Sequence, residues 1–487
     1  MVQAVAVGTM RKVTLKIVPL LFVLWLVNFL DRVNVSFAAL EMTKTFHFTP
    51  ELYGFGAGIF FIGYILFEIP SNLALQRFGA RLWLARIIVT WGIVSALQAF
   101  IFNATSFVAI RFLLGVAEAG FLPGVLYYLT RWFPAEQRAR AIGQVMSANM
   151  IAVVVGAPLS AAILSMGDVA GLAGWQWIFI LEAVPAVVLG VFAYFFLSDE
   201  PEHARWLSAP ERAWLVDTMQ RDREAAASLG TEKLGVAMRE PIVWLLGMLY
   251  LLVGTGFFGI TLWLPQIVKQ MAAMSTIQVG MLSALPFLLG AIAMVLNGRH
   301  SDRTLERRWH LAIPLTVGSL GLLASALVHS AALELAFVCV AMVGIGASLS
   351  VFWSIPSSFL TGRAAAGGLA LVNTISGLSG FIGPYAIGWI RGHSPDFSVA
   401  LFFMAGSIAA AAVLAAILPF PGVPGRKLDP TPRSAAGRTR QASARSDRAA
   451  PDQGSSCATT CAVSSMCASR SLRARGASRS STASINS

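Results

Sequence analysis

The feature that most constrains this chain is an apolar run of about twenty residues, the length of a helix that crosses a bilayer, recurring twelve times. Six runs centre on Leu26, Ile65, Val94, Val116, Val153 and Val188. Six more centre on Leu252, Phe287, Leu320, Gly346, Ser376 and Ile408, beyond a polar stretch from Ser198 to Glu240. Charged residues are only 12% of the 487, too few to cover a water-soluble surface, where about 25% is usual. The pattern predicts an all-α integral membrane protein of twelve transmembrane helices. The expected divisions are a first six-helix half at 1–197, a central loop at 198–240, a second half at 241–420 and a basic disordered tail at 421–487. The run after Lys16 spans fully and lacks a cleavage-like ending, so it reads as a retained first helix.

Charge fixes the orientation. Arg11, Lys12 and Lys16 precede the first run, Arg77 and Arg81 follow the second, and Arg131, Arg138 and Arg140 follow the fourth. Arg299, Arg303, Arg307 and Arg308 follow the eighth, whereas the opposite side carries only Lys44, Lys269 and Arg391. By the positive-inside rule both termini and the central loop are expected in the cytoplasm. Of the net charge of +12, the segment from Arg426 onward contributes +8, so the membrane body carries too little to suggest a nucleic-acid partner. Cys339, Cys457, Cys461 and Cys467 form no C-x-x-C pair or Cys/His cluster, so neither a metal site nor a disulfide framework is expected.

The halves echo each other. Asn72, Gln76 and Arg77 follow the second run as Gly298, Asp302 and Arg303 follow the eighth, at a constant offset of 226. A repeated half points to alternating access, with the site where the halves meet.

A charge at the bilayer centre costs about 2.5–3.5 kcal/mol on insertion scales, so each one inside a run needs a reason. The first half holds Asp31, Arg32, Glu68, Arg86, Arg111, Glu118 and Glu182. Arg111 and Glu118, seven apart, share a helix face; Asp31 and Arg32, adjacent, point about 100° apart and reach different partners. An arginine offers a fork of donors that fits a carboxylate. A carboxylate beside it in apolar surroundings changes its proton affinity when that arginine is taken by substrate. Glu68, Arg86 and Glu182 fall near run ends, where packing or gating is expected. The second half lacks central charge but carries Thr261, Gln266, Ser350, Trp353, Ser354, Ser357 and Asn373, suited to orienting a polar or aromatic acid. Single Ser and Thr residues in such helices more often bond their own backbone.

From about Arg11 to Phe420 the sequence resembles the major facilitator superfamily, and within it the anion:cation symporters. The resemblance rests on Asn28-Phe-Leu-Asp31-Arg32-Val-Asn34-Val-Ser-Phe37-Ala, Phe67-Glu68-Ile-Pro70-Ser71-Asn72, Arg111-Phe-Leu-Leu-Gly115-Val-Ala-Glu118-Ala-Gly120 and Phe352-Trp353-Ser-Ile-Pro356. Arg11-Lys-Val-Thr-Leu and Phe60-Phe-Ile-Gly-Tyr64 look most like its tartrate-transporter branch. The resemblance implies a monomeric, multi-pass protein of the cell's inner membrane that imports an organic anion with protons and needs no cofactor. It implies Asp31 and Glu118 as the protonatable pair, Arg111 as the partner tuning Glu118, and Arg32 as the substrate-anion contact. Asn149, Ser350, Trp353 and Asn373 fall where the family lines its cavity, and Arg77, Arg81, Gly298, Asp302 and Arg303 where it gates. Asn72 and Gln76 replace the loop pattern's Gly and Asp, so the gate of the first half is altered while its counterpart at Gly298 and Asp302 is intact. Gly156-Ala157-Pro158 lacks the fuller glycine pattern of drug antiporters, and the seventh run has no arginine for phosphate exchange.

Tartrate or a similar hydroxy or dicarboxylic acid is the expected cargo; an aromatic acid such as phthalate or hydroxyphenylacetate is the alternative. A non-transporting acid sensor is the alternative of another class. No nucleophile with its base, metal cluster or cofactor loop points to an enzyme. The tail, rich in Ser, Ala and Arg, reads as disordered: either a contact for anionic lipid headgroups or a dispensable extension, of which the second is expected. Truncation at Arg426 is accordingly expected to leave uptake per molecule in the membrane unchanged, measured as transport normalised to membrane abundance.

Overall fold

The computed structural model describes residues 2–228, 240–271, 274–355 and 362–418. The expected tail and residues 229–239 of the central loop lie outside the described residues. Every long described element is a helix. The first half comprises α1 (Val2–Thr45), α2 (Pro50–Phe78), α3 (Ala80–Leu97), α4 (Ala104–Glu118), α5 (Phe121–Trp132), α6 (Ala135–Met146), α7 (Ala148–Leu164) and α8 (Gly174–Phe196). After α9 (Ala209–Ser228) come α10 (Pro241–Met271), α11 (Thr276–Thr304), α12 (Arg308–Leu327), α13 (Ala331–Phe352), α14 (Gly362–Gly377), α15 (Ser379–Gly392) and α16 (Ser398–Ile417).

Eleven helical stretches among the described residues are long and apolar enough to cross a membrane; α4–α5 and α6–α7 each count as one. The run centred on Ser376 is the twelfth. It is divided at Leu378 into α14 and α15, each too short alone. Polar residues set the starts: Thr49 accepts from Leu52 N at 3.2 Å ahead of Pro50, and capping boxes at Asn103/Ser106 and Ser275/Gln278 open α4 and α11.

Within the first half α3 packs on α8 and α2 on α4; within the second, α12 packs on α13 and α16, and α11 on α13. Across the halves the second span (α2) packs on the eleventh (α15) and the fifth (α7) on the eighth (α11). An offset of six spans turns one of these pairs into the other, so the seam has the pseudo-twofold symmetry of the repeat. The seam is tightest at the end remote from the N-terminus. There a side chain on Gly54 would strike Pro384 O and the Gly388 Cα, and one on Gly280 would strike Ala157 O. Tyr53 Oη also donates across it to Leu262 O at 2.8 Å. Nearer the middle, Phe61 meets Phe258 edge-on at 4.7 Å.

At the opposite end, basic residues of the first half are tied to acidic residues of the central stretch. Lys12 pairs with Glu211 at 2.6 Å, Arg138 with Asp222 at 3.0 Å and Arg131 with Glu200. The charges that fix topology therefore also hold α9 and its approach to the first half.

The close seam makes a prediction. Gly54→Val, which overpacks α2 against α15, is expected to cost about 1–3 kcal/mol. Gly406→Ala, where nothing lies within 4 Å, is expected to stay within about 0.5 kcal/mol of the parent. Thermal unfolding in detergent checks both.

Candidate functional site

The site begins with a break in the fourth span. α4 ends at Glu118, Ala119 is extended, and Gly120 takes φ +85°, a left-handed conformation that favours glycine. A side chain there would also strike Ser71 Oγ. Pro123, in the first turn of α5, has no N–H to continue the ladder back to Ala119. The sequence Glu118-Ala-Gly120-Phe-Leu-Pro123 thus stops one helix and starts another inside the bundle.

That break leaves Glu118 at a helix C-terminus, where the macrodipole disfavours an anion. Arg32 of α1 compensates: Nε donates to Glu118 Oε1 at 2.6 Å, and Nη2 donates to the same oxygen. Glu118 is fully buried and its Oε2 has no partner among the described residues. The Arg32 guanidinium also lies 5.4 Å from the Phe60 ring centroid and 5.1 Å from that of Tyr64, within cation–π range.

Asp31 turns the other way. It accepts from Ser95 Oγ of α3 and from Asn34 Nδ2 at 3.1 Å, and its Oδ2 is buried without a partner. Arg111, also fully buried, points at α2: Nη2 donates to Ala57 O at 3.2 Å and Nε to Gly56 O at 3.4 Å. Two turns separate it from Glu118, whose ion-pair partner is Arg32. Asn28, one turn before Arg32 on α1, is buried and neither of its side-chain polar atoms has a partner among the described residues.

The expected cavity residues each have partners of their own. Asn149 Oδ1 accepts from Trp25 Nε1 at 2.5 Å. Trp353, 40% exposed, donates through Nε1 to Tyr250 Oη at 3.1 Å. Asn373 Nδ2 reaches across the halves to Glu68 Oε1 at 3.4 Å. Ser350 is bonded to backbone, donating to Met294 O at 3.0 Å beside Gly298, and Thr261 likewise donates to Phe257 O at 2.7 Å. The expected gating residues lie apart, at the helix ends. Arg81 meets Asp199 through its backbone N–H at 2.8 Å, Asp302 pairs with Arg307 at 2.7 Å, and Arg77 and Arg303 are exposed.

Trp25, Ser95 and Tyr250 are not singled out by the sequence, and Tyr64 enters there only as the last residue of the Phe60–Tyr64 run. Tyr64 had a signal: it sits one turn from both Phe60 and Glu68, on the face that meets Arg32. The others become visible only when helices distant in sequence are brought together. Glu182, expected near a span end, is instead 3% exposed and well inside α8, held by Ser160 Oγ at 2.6 Å.

A membrane bundle with a pseudo-twofold seam and a buried ionic cluster on one side of it is built as secondary transporters are. The family model of the Major Facilitator Superfamily matches residues 21–384, and the chain belongs to that superfamily. It is 45% identical over 409 residues to a protein of Agrobacterium vitis named "Putative tartrate transporter", covering 84% of this chain and 91% of that one. It is 38% identical to the metabolite transport protein NicT of Pseudomonas putida, over 84% of this chain and 94% of the relative. The fold matches the xylose transporter XylE of E. coli in a partially occluded inward-open conformation, with a TM-score of 0.70 at 15% identity, over 86% of this chain and all of that one.

Removing one partner of the central pair leaves a buried charge. Glu118→Ala is expected to destabilise the protein by about 3–5 kcal/mol, and the double change Arg32→Met with Glu118→Leu to recover most of that loss. Detergent unfolding of the single and double variants checks it.

Proposed function

We propose that the protein imports a small hydroxy or dicarboxylic acid such as tartrate together with protons, by alternating access across the cell's inner membrane. In this reading both termini are cytoplasmic, the working unit is a monomer and no cofactor takes part. The tight seam at the end remote from the N-terminus is then the closed outer gate. The observation that carries the reading is the Arg32–Glu118 pair: the guanidinium commits both Nε and Nη2 to a single carboxylate oxygen in a buried site.

A substrate carboxylate and Glu118 compete for that guanidinium. When the substrate takes it, Glu118 is left as a buried anion at a helix C-terminus and binds a proton. The proton on Glu118 cancels one substrate charge, and a second proton, on Asp31, would make a dianion a nearly neutral load. Once the proton leaves, Glu118 reclaims Arg32 and the anion is expelled. Asp31, buried beside Ser95 and Asn34, is the second protonatable group. Asn149, Asn373 and the Trp353–Tyr250 pair supply hydrogen bonds and ring faces for the uncharged part of the acid. Tyr250, stacked on Phe352 at 4.2 Å and meeting Trp353 at 5.2 Å, favours an aromatic acid as the second reading.

Uptake of labelled tartrate into cells, with and without a protonophore, tests the proposal. Uptake is expected to collapse with the protonophore and to fall about 100-fold or more in Arg32→Ala, the loss of a charge-assisted bidentate contact worth about 3 kcal/mol. Glu118→Gln is expected to lose accumulation. Uptake that ignores the protonophore and survives both changes would contradict the mechanism; uptake of phthalate but not tartrate would select the second reading.

A further inference from the structure

A third carboxyl lies near this cluster, and the exchange between Arg32 and Glu118 does not use it. Glu182 is the ninth residue of the 23-residue helix α8 and is almost fully buried, a depth at which a carboxyl is costly. Its Oε1 accepts from Ser160 Oγ of α7, while its Oε2 has no partner among the described residues. The Asn34 side chain of α1 lies beside this carboxyl and donates through Nδ2 to Asp31; its own Oδ1 is also unpartnered. One amide therefore stands between two buried carboxyls. Of the elements packed on α8, α1 brings Asp31 as the titratable neighbour, α7 brings the Ser160 hydroxyl, and α3 brings the Ser95 hydroxyl by way of Asp31.

We propose that Asp31 and Glu182 form a proton-sharing pair in which Glu182 loads and unloads protons for Asp31 during transport. Two carboxylates that share one amide in apolar surroundings disfavour each other's ionisation, so the pair favours keeping a proton. The O–H bond broken at Glu182 is remade at Asp31, and Glu182 is reprotonated from water at the end of the bundle nearer the start of α8. The pair spares the interior a double negative charge, and gives Glu182 a positioning and proton-supply role without contact with substrate. The inference rests on the proton-coupled reading above.

Glu182→Gln keeps the shape of the side chain and an acceptor for Ser160, but holds no exchangeable acid proton. In proteoliposomes, proton-driven uptake of labelled tartrate is expected to be about tenfold slower or worse, with its pH profile displaced. Tartrate counterflow, which needs no net proton movement, is expected to stay within about twofold of the parent. Unchanged uptake and pH profile would overturn the pair, and so would loss of counterflow together with uptake, the mark of a structural or substrate-binding role. A parent whose uptake ignores a protonophore would instead overturn proton coupling itself, and the pair with it. A measurement on the unaltered protein needs neither variant nor cargo. Dicyclohexylcarbodiimide, which attacks protonated carboxyls in apolar surroundings, is expected to label Glu182, read by peptide mass spectrometry. No label at Glu182 at any pH where the protein stays folded would overturn the proposal.

Discussion

An ion pair deep in an apolar bundle, Arg32 to Glu118, is the interaction on which the rest of this structure depends. Two buried charges gain less from each other than they lose in leaving water unless geometry and additional contacts are favourable. Here the geometry is supplied by a helix break. Gly120 and Pro123 end α4 at Glu118 and restart the chain as α5, which presents the carboxylate end-on to α1. Phe60 and Tyr64 of α2 give the guanidinium two ring faces in place of water. An arrangement with this much compensation around one pair, and an unpartnered second oxygen on Glu118, is suited to changing partners more than to locking helices together.

The two halves carry different chemistry. The buried charged groups Asp31, Arg111, Glu118 and Glu182, with the partly buried Arg32, belong to the first half, on α1, α4 and α8. The second half presents a phenol from α10, an indole just past the end of α13 and an amide from α14. Glu68 and Asn373 are where these sets touch, 3.4 Å apart across the seam.

Much of this was legible in the sequence because bilayers impose length and charge rules that leave few alternatives. The twelve runs, the offset of 226 and the intramembrane charges follow from those rules, and adjacent Asp31 and Arg32 do take different partners. What was not legible depends on contacts between helices distant in sequence. The division at Leu378 interrupts an apolar run that reads as continuous, so eleven long stretches stand where twelve were counted. Ser95, Ser160 and Trp25 carry no charge and look like ordinary helix residues until their partners are in place. Glu182 was misplaced for a related reason: boundaries judged from hydropathy put it near an end, whereas α8 begins at Gly174 and buries it.

The most direct test of the central claim follows protons during binding alone, with no transport. Calorimetric titration of the purified protein with tartrate, in buffers of different ionisation enthalpy, reads the protons exchanged per bound acid. If substrate displaces Glu118 from Arg32, binding takes up close to one proton at a pH where Glu118 begins ionised, and affinity weakens as pH rises. Binding with no proton exchange, or with proton release, would contradict the account.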